Sequence, residues 1–176
     1  PAILNTAILA DFNGDSRADL IAVDARSHRL FLLSGMGDRG RFTEPQSCWP
    51  GLITLPSVMT AGDIDGDGDL DLFIGQYKQP YVKGQMPTPY YDANDGYPAY
   101  LFQNDGSGIF TDITEQAGLG PKRFRRSYGA SFVDLNEDGK FDLLVSSDFA
   151  GIDIYEGNGH GMFKEVTNGW IDQRHT

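Results

Sequence analysis

Disulfide chemistry is the first thing this sequence excludes. Its 176 residues hold one cysteine, Cys48, which can neither close an intrachain bridge nor build a Cys-rich metal site. Basic residues are scarce as well, 14 Lys and Arg against 25 Asp and Glu, for a formal net charge of −11. Nucleic acid and anionic membrane surfaces repel a surface of that sign, so no nucleic-acid partner is expected and cations are. No apolar run approaches the ~20 residues of a membrane-crossing helix, so no membrane span is expected. No charged-then-apolar leader opens the chain at Pro1, so any signal peptide is expected to be absent or already removed. There is no Asn-x-Ser/Thr sequon. A sustained 3.6-residue apolar period is missing too, and 22 Gly and 9 Pro punctuate the chain too often for long helices. Nucleophile elbows, His-Glu-x-x-His helices and phosphate loops are absent, and His28, His160 and His175 stand in no motif, so no enzyme is expected.

What remains is a globular composition, 40% hydrophobic and 12% aromatic, in which much of the acid is gathered into three tight clusters. These are Asp11-Phe12-Asn13-Gly14-Asp15, Asp63-Ile64-Asp65-Gly66-Asp67 and Asp134-Leu135-Asn136-Glu137-Asp138, closed by Asp19, Asp71 and Asp142. Each cluster feeds a short apolar run, Leu20-Ile21-Ala22-Val23, Leu72-Phe73-Ile74 or Leu143-Leu144-Val145, which reads as a buried strand. A strand is expected before each cluster as well, at 5–10, 57–61 and 129–133. A third is expected at 30–33, 100–102 and 152–155. Gly-rich turns then lead to strands opening at Phe42, Phe110 and Phe163. Repetition of one supersecondary unit is the mark of a repeat architecture. The fold expected is all-β, twelve strands in three four-stranded antiparallel units.

Within each cluster the oxygen-bearing side chains fall at alternate positions 1, 3, 5 and 9: Asp11, Asn13, Asp15, Asp19; Asp63, Asp65, Asp67, Asp71; Asp134, Asn136, Asp138, Asp142. A curled loop can aim every second side chain at its centre, and Ca²⁺ takes about six to eight oxygens. Position 7 is Arg17, Asp69 or Lys140, a set without shared side-chain chemistry, and is expected to contribute its backbone carbonyl. About three Ca²⁺ per chain are therefore expected. Position 8, Ala18, Leu70 or Phe141, is expected to anchor the loop in the core. An EF-hand is excluded, because its twelfth position needs a bidentate Glu and these loops have Ala22, Ile74 and Val145 there. Mg²⁺ fits less well, since it keeps several waters in a rigid octahedron. Plain turn chemistry of Asp, Asn and Gly is the competing explanation for any one loop. The second loop is the strongest candidate; the first has Ser16 where the others have Gly68 and Gly139.

These residues resemble the FG-GAP, or VCBS-type, repeat, the blade unit of integrin-α-like β-propellers. The match runs through Asp-x-Asp/Asn-x-Asp-x-x-x-Asp and its following strand, the lead-in Tyr128-Gly129-Ala130-Ser131 and the blade end Phe110-Thr111-Asp112-Ile113-Thr114. The resemblance implies blades at 1–56, 57–120 and 121–176. It also implies calcium between the first and second strands of each, an extracellular or cell-surface setting, and a protein or glycan ligand. Propellers close with roughly four to eight blades, so self-association or additional blades from a longer chain are expected as well. The alternative reading is a carbohydrate-binding or scaffold segment of a larger lectin or polysaccharide-active enzyme.

Three features stand outside the repeat. The second unit is about 19 residues longer than the first, and its surplus, 77–99, is rich in Pro and Tyr and reads as a surface loop, either a binding surface or an inert cover. Lys122-Arg123-Phe124-Arg125-Arg126 reads as a solvated basic loop, with contact to an acidic neighbour or anionic glycan as the alternative. Trp49 and Trp170 read as packing residues or sugar-stacking ones. Glu115, Glu137 and Asp112 are the nearest approach to a glycosidase carboxylate pair, without specificity.

Overall fold

A computed structural model of the chain describes residues 4–38, 40–80, 86 and 89–170. Blade 1 is an antiparallel meander of β1 (Leu4–Ala10), β2 (Asp19–Asp24), β3 (Leu30–Leu33) and β4 (Gln46–Trp49). Blade 2 repeats it with β5 (Pro56–Gly62), β6 (Asp71–Gln76), β7 (Tyr100–Asn104) and β8 (Phe110–Asp112). Blade 3 does so with β9 (Arg126–Val133), β10 (Asp142–Asp148), β11 (Gly151–Gly157) and β12 (Phe163–Glu165). A 3₁₀ turn at Gly120–Lys122 and one helical turn, α1 (Thr167–Trp170), complete the described elements.

Blade 1 departs from expectation at its fourth strand. Phe42 makes only an isolated bridge to Gly35, and pairing resumes at β4. Pro45, which has no N–H to donate, lies in the gap between them.

Two cores separate the three sheets. Ile21, Val23, Leu30 and Leu32 of blade 1 meet Leu72, Ile74, Phe102 and Phe110 of blade 2. On the other side Phe73 and Leu101 of blade 2 meet Phe132, Leu143, Val145 and Tyr155 of blade 3. Because side chains alternate along a strand, β6 sends Leu72 and Ile74 one way and Phe73 the other, and all six of its residues are buried. In blade 1, Ile8 and Ala10 of β1 pack inward while Leu9 is 60% exposed. Trp49 is a packing residue, its ring 4.9 Å from both Tyr100 and Phe102 across the first interface.

The inner strand of every blade carries the same bulge. Register slips past Asn5, Ser57 and Tyr128, each six residues ahead of its acidic loop. A bulge leaves one residue unpaired and re-aims its side chain.

The described part of the Tyr- and Pro-rich insertion is irregular and exposes Tyr90 and Tyr91, as a surface loop does, yet it is also tied to its neighbours. Residues 81–85, 87 and 88 lie outside the described residues, but 89–99 strap blade 2 to blade 3. Ala93 is fully buried and its N–H donates to Phe149 O; Phe124 N–H donates to Asn94, and Ala99 N–H to Arg123 O. The basic run departs from the solvated loop expected: its four cations are all paired within the chain, and Arg125 and Arg126 are buried. Lys122 pairs with Asp153 at 2.6 Å and Glu165 at 3.2 Å, and Arg123 with Asp112 and Glu115 at 3.0 Å each. Arg125 pairs with Asp92 and Asp153, and Arg126 with Asp95 at 2.8 Å. The acidic neighbour of this run is the chain itself, and a buried cation keeps its charge only where such partners compensate lost hydration.

Since Phe102 is fully buried in the first interface, truncating it to Ala should cost about 3–5 kcal/mol. Both sheets lose cover together, so tryptophan fluorescence and circular dichroism should report one denaturant transition. Two separated midpoints would mean that the blades unfold independently.

Candidate metal centres in the blade loops

All three acidic loops lie between the first and second strands of their blades and share one internal wiring. The first aspartate takes two backbone N–H groups. Asp11 accepts from Asp15 and Ser16, Asp63 from Gly66 and Gly68, Asp134 from Asp138 and Gly139, at 2.7–3.2 Å. Position 3, as Asn13, Asp65 or Asn136, accepts from the N–H two residues on, and position 5, as Asp15, Asp67 or Asp138, does the same for position 7. Such side-chain-to-backbone bonds are what make Asx residues turn formers. Here three in series bend the chain into a ring.

The ring forces two residues into the left-handed region. Position 4 is Gly14 (φ 73), Gly66 (φ 81) or Glu137 (φ 61); position 6 is Ser16 (φ 64), Gly68 (φ 94) or Gly139 (φ 82). Ser16 and Glu137 carry a steric cost there that glycine avoids. Loops 1 and 3 each hold one strained residue, and loop 2 holds none.

Position 9 closes the ring from inside. Asp19, Asp71 and Asp142 are fully buried, and each divides its two oxygens between the N–H of position 2 and an N–H at the far end of the third strand. Asp19 accepts from Phe12 and Gly35, Asp71 from Ile64 and Asn104, Asp142 from Leu135 and Gly157, at 2.8–3.1 Å. This bonding selects the loop's anchor and corrects the expectation for position 8. Position 2 turns inward, with Phe12 and Ile64 buried in the two cores. Ala18 is exposed, Leu70 sits at the core margin and Phe141 is 39% exposed. Position 8 thus varies among the blades, from the exposed Ala18 to Leu70 packed on the first core and Phe141 against the Phe132 ring at 6.3 Å.

Carboxylates converge most closely in loop 2. Oxygens of Asp63, Asp65 and Asp71 lie within 4.8 Å of one another, the one such group among the described residues. In loops 1 and 3 Asn13 and Asn136 replace the second carboxylate. Burial pushes the Asp71 carboxyl up to about 7, against the pull of its two N–H donors and with added repulsion from Asp65 and Asp69. Asp69 is pushed up to about 6 by burial and by Asp67, Asp65 and Asp63, and its buried Oδ1 has no hydrogen-bond donor. Its carboxylate is thus coupled electrostatically to the cluster but is not among the three whose oxygens converge. In the other loops the position-7 side chain is a cation turned onto position 5, Arg17 on Asp15 at 3.9 Å and Lys140 on Asp138 at 3.3 Å, leaving only its backbone for a ligand role. Asp67, Asp15 and Asp138 are exposed at the loop tips.

The donor set suits a hard divalent cation: it is all oxygen, mostly carboxylate, and held at mutual distances where negative charge is uncompensated. Among the described residues, Cys48, His28 and His160 play no part in it.

One residue missed by sequence reading joins neighbouring loops. Asn104, whose N–H holds Asp71, donates its side-chain amide to Phe12 O at 2.9 Å and Leu70 O at 3.1 Å and accepts from Gly108 N–H. Its counterparts in the other blades are Gly35 and Gly157, so no repeat signal marks it.

Gly68 has open space where a Cβ would go, so Gly68→Ala isolates the backbone effect. Stability should fall by about 1–2 kcal/mol, read from chemical denaturation. Gly68→Asn, which tolerates the left-handed region better, should lose less; equal losses would contradict the conformational account.

The profile of the FG-GAP-like repeat matches residues 11–74 and 91–145, taking in all three acidic loops. Cartilage acidic protein 1 of Xenopus tropicalis is 35% identical over 54 residues, 31% of this chain and 8% of that protein. Integrin alpha-3 of Mus musculus is 28% identical over 117 residues, 62% of this chain and 10% of that protein. A solved Agrocybe aegerita lectin, described as recognising non-reducing terminal N-acetylglucosamine, shares the fold with a TM-score of 0.53 over 90% of this chain and 36% of its own, at 19% identity. The chain spans a tenth or less of the curated relatives it matches. With the repeat profile laid over every loop and the strand after it, and three four-stranded blades around them, the chain belongs to the FG-GAP-like repeat family.

Proposed function

We propose that the chain is a non-enzymatic, calcium-stabilised blade array belonging to an extracellular adhesion or lectin-like protein. The observation that carries this reading is the oxygen cluster of Asp63, Asp65 and Asp71, with the unpartnered Oδ1 of Asp69 beside it. Calcium there supplies positive charge, and the residues that would hold it are the loop side chains at positions 1, 3, 5 and 9, with position 7. In loops 1 and 3 the position-7 backbone carbonyl takes that part.

The noncatalytic reading rests on where the candidate carboxylates sit. Asp112 and Glu115 both accept hydrogen bonds from Arg123, and Glu137 stands on an exposed loop tip. An integrin among the relatives supports the extracellular setting, and no helix among the described residues is long and apolar enough to cross a membrane. The exposed Leu9 on the outer side of blade 1 favours further blades or a second copy stacked on it. The likeness to a lectin supports a glycan-binding alternative to a protein ligand.

Native mass spectrometry in calcium should show three ions per chain, falling to two in Asp63→Ala. At calcium 100-fold above its dissociation constant, each site adds about 2.7 kcal/mol, so chelation should lower the thermal midpoint. An ion-free chain with a midpoint unmoved by chelator would overturn the calcium reading.

A further inference from the structure

We infer that a cleft at the junction of the insertion and blade 3 is a binding site for an uncharged oligosaccharide. This deepens the ligand-presenting half of the function proposed above and is independent of the calcium half. The cleft encloses about 830 Å³, within the range of small-molecule sites. It lies at the end of β10 opposite its acidic loop: Asp142 opens that strand, and Asp148 and Phe149 at its close line the cleft. At ~3.3 Å per residue the two sites stand roughly 20 Å apart along the strand.

One wall is aromatic and held in place. Tyr91, 78% exposed, meets Tyr90 edge to face at 5.0 Å, and Tyr90 meets Phe149 at 5.3 Å. Phe149 in turn lies under the Arg126 guanidinium at 5.8 Å. Phe149 is a bulky residue at φ 64, a conformation that persists only where surrounding contacts enforce it. Tyr128, 58% exposed, is the bulge residue of β9, and the bulge re-aims it. An exposed aromatic ring restrained before binding offers a flat apolar face at little entropic cost.

The other wall is a lattice of opposite charges. Asp153 and Arg125, both buried, pair at 2.9 Å and form its base. Arg125 extends to Asp92, and Lys122 joins Asp153 to Glu165. Asp92, Lys122 and Glu165 remain partly open to solvent. Both cations are already matched by carboxylates, which argues against a sulfated or carboxylated ligand. Each carboxylate also has a partner, but that of Asp148 is the uncharged Tyr77 hydroxyl at 2.8 Å, and four lining carboxylates against two cations leave the cleft acidic, so a cationic peptide is the ligand that competes with a neutral one here. Alternating acceptors and donors suit groups that both donate and accept, and hydroxyls on a flat ring carry that chemistry. A neutral sugar chain is the ligand class that uses both walls.

The test titrates the whole chain with maltotriose, cellotriose and chitotriose by calorimetry in calcium, with a heparin hexasaccharide and a lysine-rich peptide as charged probes. At least one neutral trisaccharide should bind saturably. Tyr91→Ala and Tyr128→Ala should each weaken it about tenfold, near 1.4 kcal/mol, with the thermal midpoint unchanged because both side chains are exposed. Absence of neutral binding at millimolar ligand, affinity indifferent to both substitutions, or binding of a charged probe alone would overturn the assignment. Ion counting on the same sample separates the two ideas: three calcium ions without sugar binding sinks only the cleft, and sugar binding without calcium sinks only the metal reading.

Discussion

Three buried aspartates hold the architecture together. Asp19, Asp71 and Asp142 occupy the first position of the second strand in their blades, with no solvent contact to compensate their charge. A buried carboxylate is tolerable only where hydrogen bonds or cations replace lost hydration. Here each takes one N–H from its own loop and one from the end of the third strand. The same bond that satisfies the charge also fixes the loop's curl and directs its second residue into a core. In blade 2 the link runs further, since Asn104 carries it to the carbonyl of Phe12 in blade 1. Loop geometry and blade packing are therefore one problem.

The second constraint is that a sheet has two faces. Blade 2 buries both, and β6 is apolar along its centre as a result. Blades 1 and 3 flank it and share its two cores. The insertion and the basic run make a third kind of contact, polar and specific, across the interface of blades 2 and 3. Four cations, Lys122, Arg123, Arg125 and Arg126, each meet carboxylates of the same chain. That lattice gives the acidic protein a rigid corner and leaves the tyrosines of the insertion facing outward.

The repeat pattern was legible because it is written in local chemistry. Alternating Asp and Asn oxygens demand a curled loop, and an apolar run directly after Asp demands a buried strand. The blade order, the hairpins and the position of every acidic loop follow from those two signals. Blade 1's broken fourth strand was less legible, since Phe42 has the right spacing and only Pro45 warns against continuity. The anchor at position 2 instead of position 8 was hidden, because both are apolar and the choice depends on which way Asp19, Asp71 and Asp142 face.

By itself the sequence determined the number of blades, all their strands but the fourth of blade 1, and the oxygen-bearing residues of each loop, since all are set by neighbours a few residues apart. Only the tertiary structure decided that Lys122, Arg123, Arg125 and Arg126 pair with carboxylates of the same chain, the last two of them buried. It alone decided that residues 89–99 strap two blades, and that Tyr90, Tyr91 and Tyr128 share a cleft with Arg125 and Asp153. The cleft residues lie up to 63 positions apart in the chain, from Tyr90 to Asp153. Charge pairing and aromatic packing depend on distance in space, which no local pattern records.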